Sequence, residues 1–207
     1  MATLVDFDKI RLDAFREVVS IATSNAATSL SKILDMKVDI TIPNIMIESI
    51  EKVPGLLGGS ENEMMTVYFK VNGQISGSSI LLMFSASESL SLANILTGQE
   101  ADCIENLDDM GVSSLKELGN IVIGSFMTVL ANGLKLKIGY SVPGYAYDMV
   151  GAIMDETLSQ MSLETEQAVI MESEFIVREK IYRGNLVFVL PPRAVDNIIK
   201  ALGSWSK

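Results

Sequence analysis

The sequence predicts an α/β fold made from a duplicated helix–strand–hairpin–helix unit. The halves are expected to be related by a pseudo-two-fold axis and to share one mostly antiparallel sheet, with two long equivalent helices packed on one face. Three observations predict this. Shifted by one hundred residues, the chain matches itself: Glu17 falls on Glu117, Pro43 on Pro143, and Leu30, Leu34 and Lys37 on Leu130, Leu134 and Lys137. Each half opens with apolar residues near a helical period and continues with alternating apolar runs. The stretch SGSSILLMF around Gly77 also matches RGNLVFVL around Gly184. The repeats cover about 7–98 and 107–204, and the whole chain 1–207 reads as one domain.

The first helix, over 7–34, rests on Phe7, Ile10, Ala14, Val18, Ile21, Ala22 and Leu30, with Asp6 or Asp8 as its cap. Residues 37–50 alternate as a strand through Val38, Ile40, Ile42, Ile45 and Ile47. Pro43 inside it predicts an edge position or a bulge, because proline donates no ladder hydrogen bond. Val53–Gly59 reads as a turn or flexible loop. Residues 64–72 and 75–84 form a hairpin joined near Asn72-Gly73. Ser85 and Glu88 have capping-box spacing for a helix over 86–97. Gly98 and the acidic stretch Glu100–Asp109 link the halves. The second half repeats the order: a helix over 108–134, a strand over 137–148, strands over 166–178 and 181–190, and a helix after Pro191-Pro192.

Composition narrows the function. With 48% hydrophobic residues the chain can bury a sizeable core. Its net charge of −10 argues against nucleic acid and anionic membrane surfaces, both of which select clustered cations. No run of eighteen apolar residues and no signal-peptide pattern occur, so the expectation is a cytoplasmic protein without membrane insertion. The single cysteine, Cys103, cannot form an internal disulfide and suits a reducing compartment. Histidine is absent. That excludes Ser–His and Cys–His nucleophile pairs, and it leaves carboxylates, amides, hydroxyls and lysines for any chemistry.

One polar stripe stands out. Ser113, Glu117 and Asn120 lie at i, i+4 and i+7 of the second long helix and so share a face, with Leu115, Leu118, Ile121 and Val122 on much of the opposite surface. Pro143 follows 23 residues after Asn120. In the first helix Asp13, Glu17 and Ser20 repeat the stripe, and Pro43 follows 23 residues after Ser20. A solvated helix face accounts for such a pattern in most proteins. Its repetition in two halves that began identical adds only modestly to a functional reading.

The arrangement resembles the signature of the CheC/CheX/FliY family of response-regulator phosphatases: Asp or Ser, three residues, Glu, two residues, Asn, twenty-two residues, Pro. The second copy, Ser113, Glu117, Asn120 and Pro143, fits throughout. The first, Asp13, Glu17, Ser20 and Pro43, departs where Ser20 replaces the asparagine. The segments ATSNAATSLSKIL and ELGNIVIGSFMTVLAN also resemble the family's helices, and two motif copies are similar to its CheC branch. The resemblance implies hydrolysis of the aspartyl-phosphate on the chemotaxis regulator CheY. It implies Asn120 as the residue that positions the attacking water and Glu117 as the docking residue. It also implies no cofactor of the chain's own, because phosphorylated CheY brings its Mg²⁺, and it implies CheD as a second partner. Glu17 and Ser20 would then mark a degenerate site, since a serine hydroxyl lacks the reach and the paired donor and acceptor of an amide.

Two other readings stand beside this one: a non-catalytic module that sequesters CheD or CheY-phosphate, and a motor-switch component like FliM. Asn25, five residues after Ser20, is rotated away from the stripe. Cys103 reads as an inert linker or core residue, Trp205 as a packing residue of the last helix, and the scattered methionines as core filler.

Overall fold

Two helices of 26 residues each, α1 (Lys9–Leu34) and α4 (Asp109–Leu134), open the two halves. They belong to a computed structural model that describes residues 9–159 and 167–205. The predicted helix start at residue 7, its Asp6 or Asp8 cap, and the side chains of Phe7, Ile10 and Trp205 lie outside the described residues. Helix α4 starts at Asp108, whose carboxylate accepts the Gly111 N–H at 2.8 Å and so satisfies a donor left open at every helix start. That bond, followed by one from Gln99, holds the Asp108 carboxyl below the usual carboxylate range. Both long helices end on a non-glycine residue in the left-handed region, Asp35 at φ 48° and Lys135 at φ 53°. In each case the next N–H returns to a carbonyl five residues back, Met36 to Ser31 and Leu136 to Ala131. The hundred-residue repeat therefore reaches the backbone of the caps, where the residue types have diverged.

The remaining elements follow the predicted order with additions. Strand β1 (Val38–Ser49) leads through a 3-10 turn to a four-residue helix, α2 (Val53–Leu56). Strands β2 (Glu63–Gly73) and β3 (Ser79–Ser85) form a hairpin, and α3 (Ala86–Thr97) follows on the Ser85 cap, which accepts the Glu88 N–H at 3.3 Å. After α4 come β4 (Ile138–Tyr140), β5 (Gly144–Met149), α5 (Val150–Ser159), the hairpin β6 (Gln167–Val177) and β7 (Lys180–Leu190), and α6 (Pro192–Trp205).

The sheet runs in the order β1-β6-β7-β3-β2-β4, with β5 also on β2, and every recorded pairing is antiparallel. Exchange of the halves turns this order into its own reverse. Strand β1 pairs with the second half's β6, β5 pairs with the first half's β2, and β3 meets β7 at the centre with Leu82 opposite Leu186. Each half thus completes the other's hairpin, as the pseudo-two-fold prediction requires.

Side-chain alternation builds a core on each face. Ile80, Leu82 and Phe84 of β3, with Leu186 and Phe188 of β7, face α1, α3, α4 and α6. Phe126 of α4 lies edge-on to Phe15 of α1 at 6.4 Å and to Phe188 at 5.9 Å, locking the two long helices to the sheet. The alternate residues, Leu81, Met83, Val187 and Val189, form a second core with Val53, Leu57, Val150 and Ile153 under α2 and α5. Six buried methionines (64, 65, 83, 127, 154 and 171) fill these cores, as the composition suggested. Among the described residues α4 is the one helix long and apolar enough to cross a bilayer by length and composition, and here its apolar side lies on the sheet.

Four expectations need correction. Val53–Gly59 is not turn or loop throughout: it opens as the short helix α2 before the turn at 57–58, because Pro54 suits a helix start and Val53 and Leu57, four residues apart, are both buried. The first hairpin does not turn at Asn72-Gly73. Strand β2 runs through Gly73, which takes φ 87° and pairs with Ile138, and the chain reverses over 74–78. The strand expected over 137–148 is broken at 141–143, where proline has no N–H to give. Ser141 spans the break by donating its N–H to the Lys70 carbonyl at 2.9 Å and accepting the Lys70 N–H on its hydroxyl at 3.1 Å. Helix α5 was not expected at all, and it is held by buried Val150, Ile153 and Met154. Pro43 sits as its missing N–H predicts: β1 is an edge strand, and its register shifts between Thr41 and Asn44.

Candidate functional site

Helix α4 presents its polar stripe where it crosses β2. Leu115, Leu118 and Val122 are buried beneath it, and Ser113 and Glu117 are exposed above. Asn120, which a stripe facing away from the core predicts to be exposed, is half-buried. Its neighbour Gly119 is buried, and a Cβ there would come within 2.6 Å of a Val67 methyl on β2. Glycine inside a helix costs roughly 0.5–1 kcal/mol against alanine, and here it seats the helix directly on the sheet. Asn120 therefore follows directly on the residue that seats the helix on the sheet. Among the described residues, neither Glu117 nor Asn120 has its side chain taken up by a hydrogen bond or ion pair within the chain.

The strand beneath carries the stripe's other neighbour. Val67 pairs with Tyr145 of β5, two residues after Pro143. The ammonium of Lys116, four residues before Asn120 on the same helix, lies 5.4 Å from the centroid of the Tyr145 ring. Such a cation–π contact contributes roughly 0.5–1 kcal/mol at an exposed site. Burial pushes the Tyr145 hydroxyl above its usual titration range, so the ring stays neutral under the cation. Pro143 itself lies in the break before β5, not on a strand. Next along β5, the Tyr147 hydroxyl donates to the Glu63 carboxylate at 2.9 Å, and desolvation followed by that bond pushes its titration up to about 12.

The first helix carries the same positions with other contacts. Asp13 and Glu17 are exposed, and Asp13 lies 3.6 Å from the Arg16 guanidinium. Ser20 is exposed, and its carbonyl accepts the hydroxyls of Thr23 at 3.0 Å and Ser24 at 2.9 Å. In place of Gly119 stands buried Val19. In place of the Tyr145 contact is a cleft of about 460 Å³ between α1 and β1, lined by Arg16, Val19, Ser20, Thr23, Pro43 and Ile45. Ser20 and Pro43 thus line one cleft.

Of the other residues weighed, Asn25 is exposed on α1, and Cys103 is half-buried in the linker before a 3-10 turn. Desolvation raises the Cys103 thiol above its ordinary range, which disfavours the reactive thiolate. The residues that the sequence reading missed are Lys116, Gly119 and Tyr145. Gly119 had a signal, because a glycine inside a helical pattern carries a cost that needs a packing reason. Lys116 had another, its i, i+4 spacing to Asn120. Tyr145 had none, since its contact depends on the sheet.

A model of the CheC-like family matches residues 10–47 and again residues 110–147, so the two windows keep the hundred-residue offset and hold the two stripes with their prolines. The CheY-P phosphatase CheC of Bacillus subtilis is 30% identical over 200 residues, 94% of this chain and 94% of that protein. The flagellar motor switch phosphatase FliY of the same organism is 25% identical over 139 residues, 67% of this chain and 36% of that one. Among solved structures, Thermotoga maritima FliY superposes with a TM-score of 0.73 at 21% identity, covering 97% of this chain and 99% of that one. The FliM middle domain of H. pylori superposes at 0.67 with 14% identity, covering 94% and 99%. These two structural likenesses concern the fold.

Proposed function

The chain belongs to the CheC-like family, and from that premise we propose that it hydrolyses the aspartyl-phosphate of a CheY-type response regulator at the α4 stripe. An aspartyl-phosphate is an activated acyl phosphate. Water attacks phosphorus in line, the bond from phosphorus to the carboxylate oxygen breaks, and inorganic phosphate and the free aspartate leave. Little covalent help is needed, so positioning and electrostatics dominate. Asn120 accepts a hydrogen bond from the attacking water on its amide oxygen and donates from its nitrogen toward the phosphoryl group. Glu117, one turn earlier and exposed, pairs with a lysine of the regulator. The Mg²⁺ of the reaction belongs to the regulator's own phosphorylation site, and the chain brings no cofactor. CheD is a further proposed partner, to be checked by co-purification.

The observation that carries this reading is the state of the second stripe. Glu117 and Asn120 share one helix face, unengaged by other side chains among the described residues, and Gly119 seats the helix on the sheet beside them. A scaffold of the FliM kind has no need of an amide held there. The test is the decay of phosphorylated CheY with and without the protein. The expected result is faster decay with this chain added at a small fraction of the regulator concentration. Decay unchanged at equal concentrations of the two proteins would refute the reading.

A further inference from the structure

Among the described residues, Lys116 holds a charge that no acid neutralises. Among the described residues its ammonium makes no ion pair, although Glu117 is its neighbour in sequence. It is held over the Tyr145 ring at 5.4 Å, and a neutral aromatic face orients a cation without cancelling its charge. The equivalent cation in the first half behaves otherwise. Arg16 lies 3.6 Å from Asp13, the acid three residues earlier, whereas α4 has the uncharged Ser113 at that position. Isoleucine, which offers no π face, stands at position 45 where the second half has Tyr145. The oriented, unneutralised cation thus occurs in the half that has Asn120, and the tied cation in the half that has Ser20 there.

Its placement fits an anion. Lys116 and Asn120 are i and i+4 neighbours, so an anionic group brought to the Asn120 amide lies within one helical turn of the Lys116 stem. The chain carries a net charge of −10, so a phosphorylated partner approaches against overall repulsion and needs a local cation where its own charge concentrates. We propose that Lys116, held by Tyr145, is a substrate-binding residue whose ammonium leaves the ring to contact the phosphoryl group presented to Asn120, making docking depend on phosphorylation. This rests on the phosphatase reading above.

The test compares binding of the full-length protein to two forms of the regulator: unmodified, and loaded with beryllofluoride as a stable stand-in for the aspartyl-phosphate. Lys116→Met should weaken binding of the loaded form by roughly 10- to 100-fold, the range for losing a hydrogen bond to a charged group, and change binding of the unmodified form by less than about 2-fold. Lys116→Arg should restore binding, and both variants should keep the wild-type unfolding midpoint. Equal loss on both forms would make Lys116 a general attractor of acidic surface and overturn the proposal, as would no loss on either. Turnover of phosphorylated regulator by Asn120→Ala separates the two failures. If Asn120→Ala abolishes turnover while Lys116→Met binds normally, only the role of Lys116 falls. If Asn120→Ala turns over normally and Lys116→Met binds normally, the phosphatase reading falls with it.

Discussion

Helix α1 and helix α4 have the same length, end in the same backbone motif and occupy equivalent places over the shared sheet, yet they present different surfaces. At successive equivalent positions the first half has Asp13, Arg16, Val19, Ser20 and Ile45, and the second has Ser113, Lys116, Gly119, Asn120 and Tyr145. In the first half the cation sits by an acid, a valine fills the space between helix and sheet, and a cleft lies beside the serine. In the second the cation lies on an aromatic ring, a glycine seats the helix on Val67, and Asn120 is half-buried beside it. What the difference teaches is that the two stripes differ in more than their signature residues. The seat of the helix and the state of the neighbouring charge differ along with Ser20 and Asn120.

The largest expected asymmetry is in docking. Glu117→Lys should weaken binding of the phosphorylated regulator by roughly 10²-fold, because the pair would become a like-charge contact, while Glu17→Lys should change it by less than about 3-fold. Titration calorimetry with the beryllofluoride-loaded regulator measures both, and similar losses from the two would break the distinction between the halves.

Gly119→Val, which imports the first half's residue, should destabilise the fold by roughly 1–3 kcal/mol, since Val67 leaves no room for a Cβ. Turnover should fall as well, because a displacement of about 1 Å at a positioned group can cost on the order of 10²-fold. Urea denaturation and a turnover assay on the same preparation check the two effects. A variant as stable and active as the wild type would remove Gly119 from the account.

Ser20→Asn tests whether the signature alone suffices. Read from sequence, that change restores a second competent site. With Val19, the Asp13–Arg16 contact and Ile45 still in place, it should raise turnover by less than about 2-fold, because the amide would lack its seat. A doubling or more would show that the asparagine is enough.

The smallest effect concerns β5, where Tyr147 stands at the position of Ile47 in the first half. Its folded titration at about 12 lies above the ordinary 10.0, so its contribution to stability is full below pH 10 and is lost as pH rises through about 12. Tyr147→Phe should remove part of the alkaline loss of stability between those values while leaving neutral-pH turnover unchanged. Denaturation midpoints measured from pH 9 to 12 that coincide for the two proteins would contradict it.

Much of the architecture was legible in the residues because it is written twice. Periodicity located α1, α4 and both hairpins, the Ser85–Glu88 spacing located α3, and Pro43 announced an edge strand with a bulge. The misses share a cause. Helices α2 and α5 are short, and they are held by burial of a few side chains such as Val53, Leu57 and Ile153 against the far face of the sheet, which no local pattern reveals. The break at Pro143 is spanned by the Ser141 hydroxyl binding a residue 71 positions away. At the site, the stripe on α4 was readable because its members share one helix. The half-burial of Asn120 and the contact of Lys116 with Tyr145 were not, because they arise where that helix meets the sheet.

The most direct measurement is the decay of phosphorylated CheY with saturating wild-type, Ser20→Ala and Asn120→Ala proteins side by side. Asn120→Ala should slow catalysed decay by roughly 10²-fold or more, the scale for losing one positioned polar group in a transition state, while Ser20→Ala should stay within about 2-fold of wild type. Comparable losses from the two variants, or an Asn120→Ala protein that keeps more than about half the activity, would contradict the claim that catalysis resides in the second half.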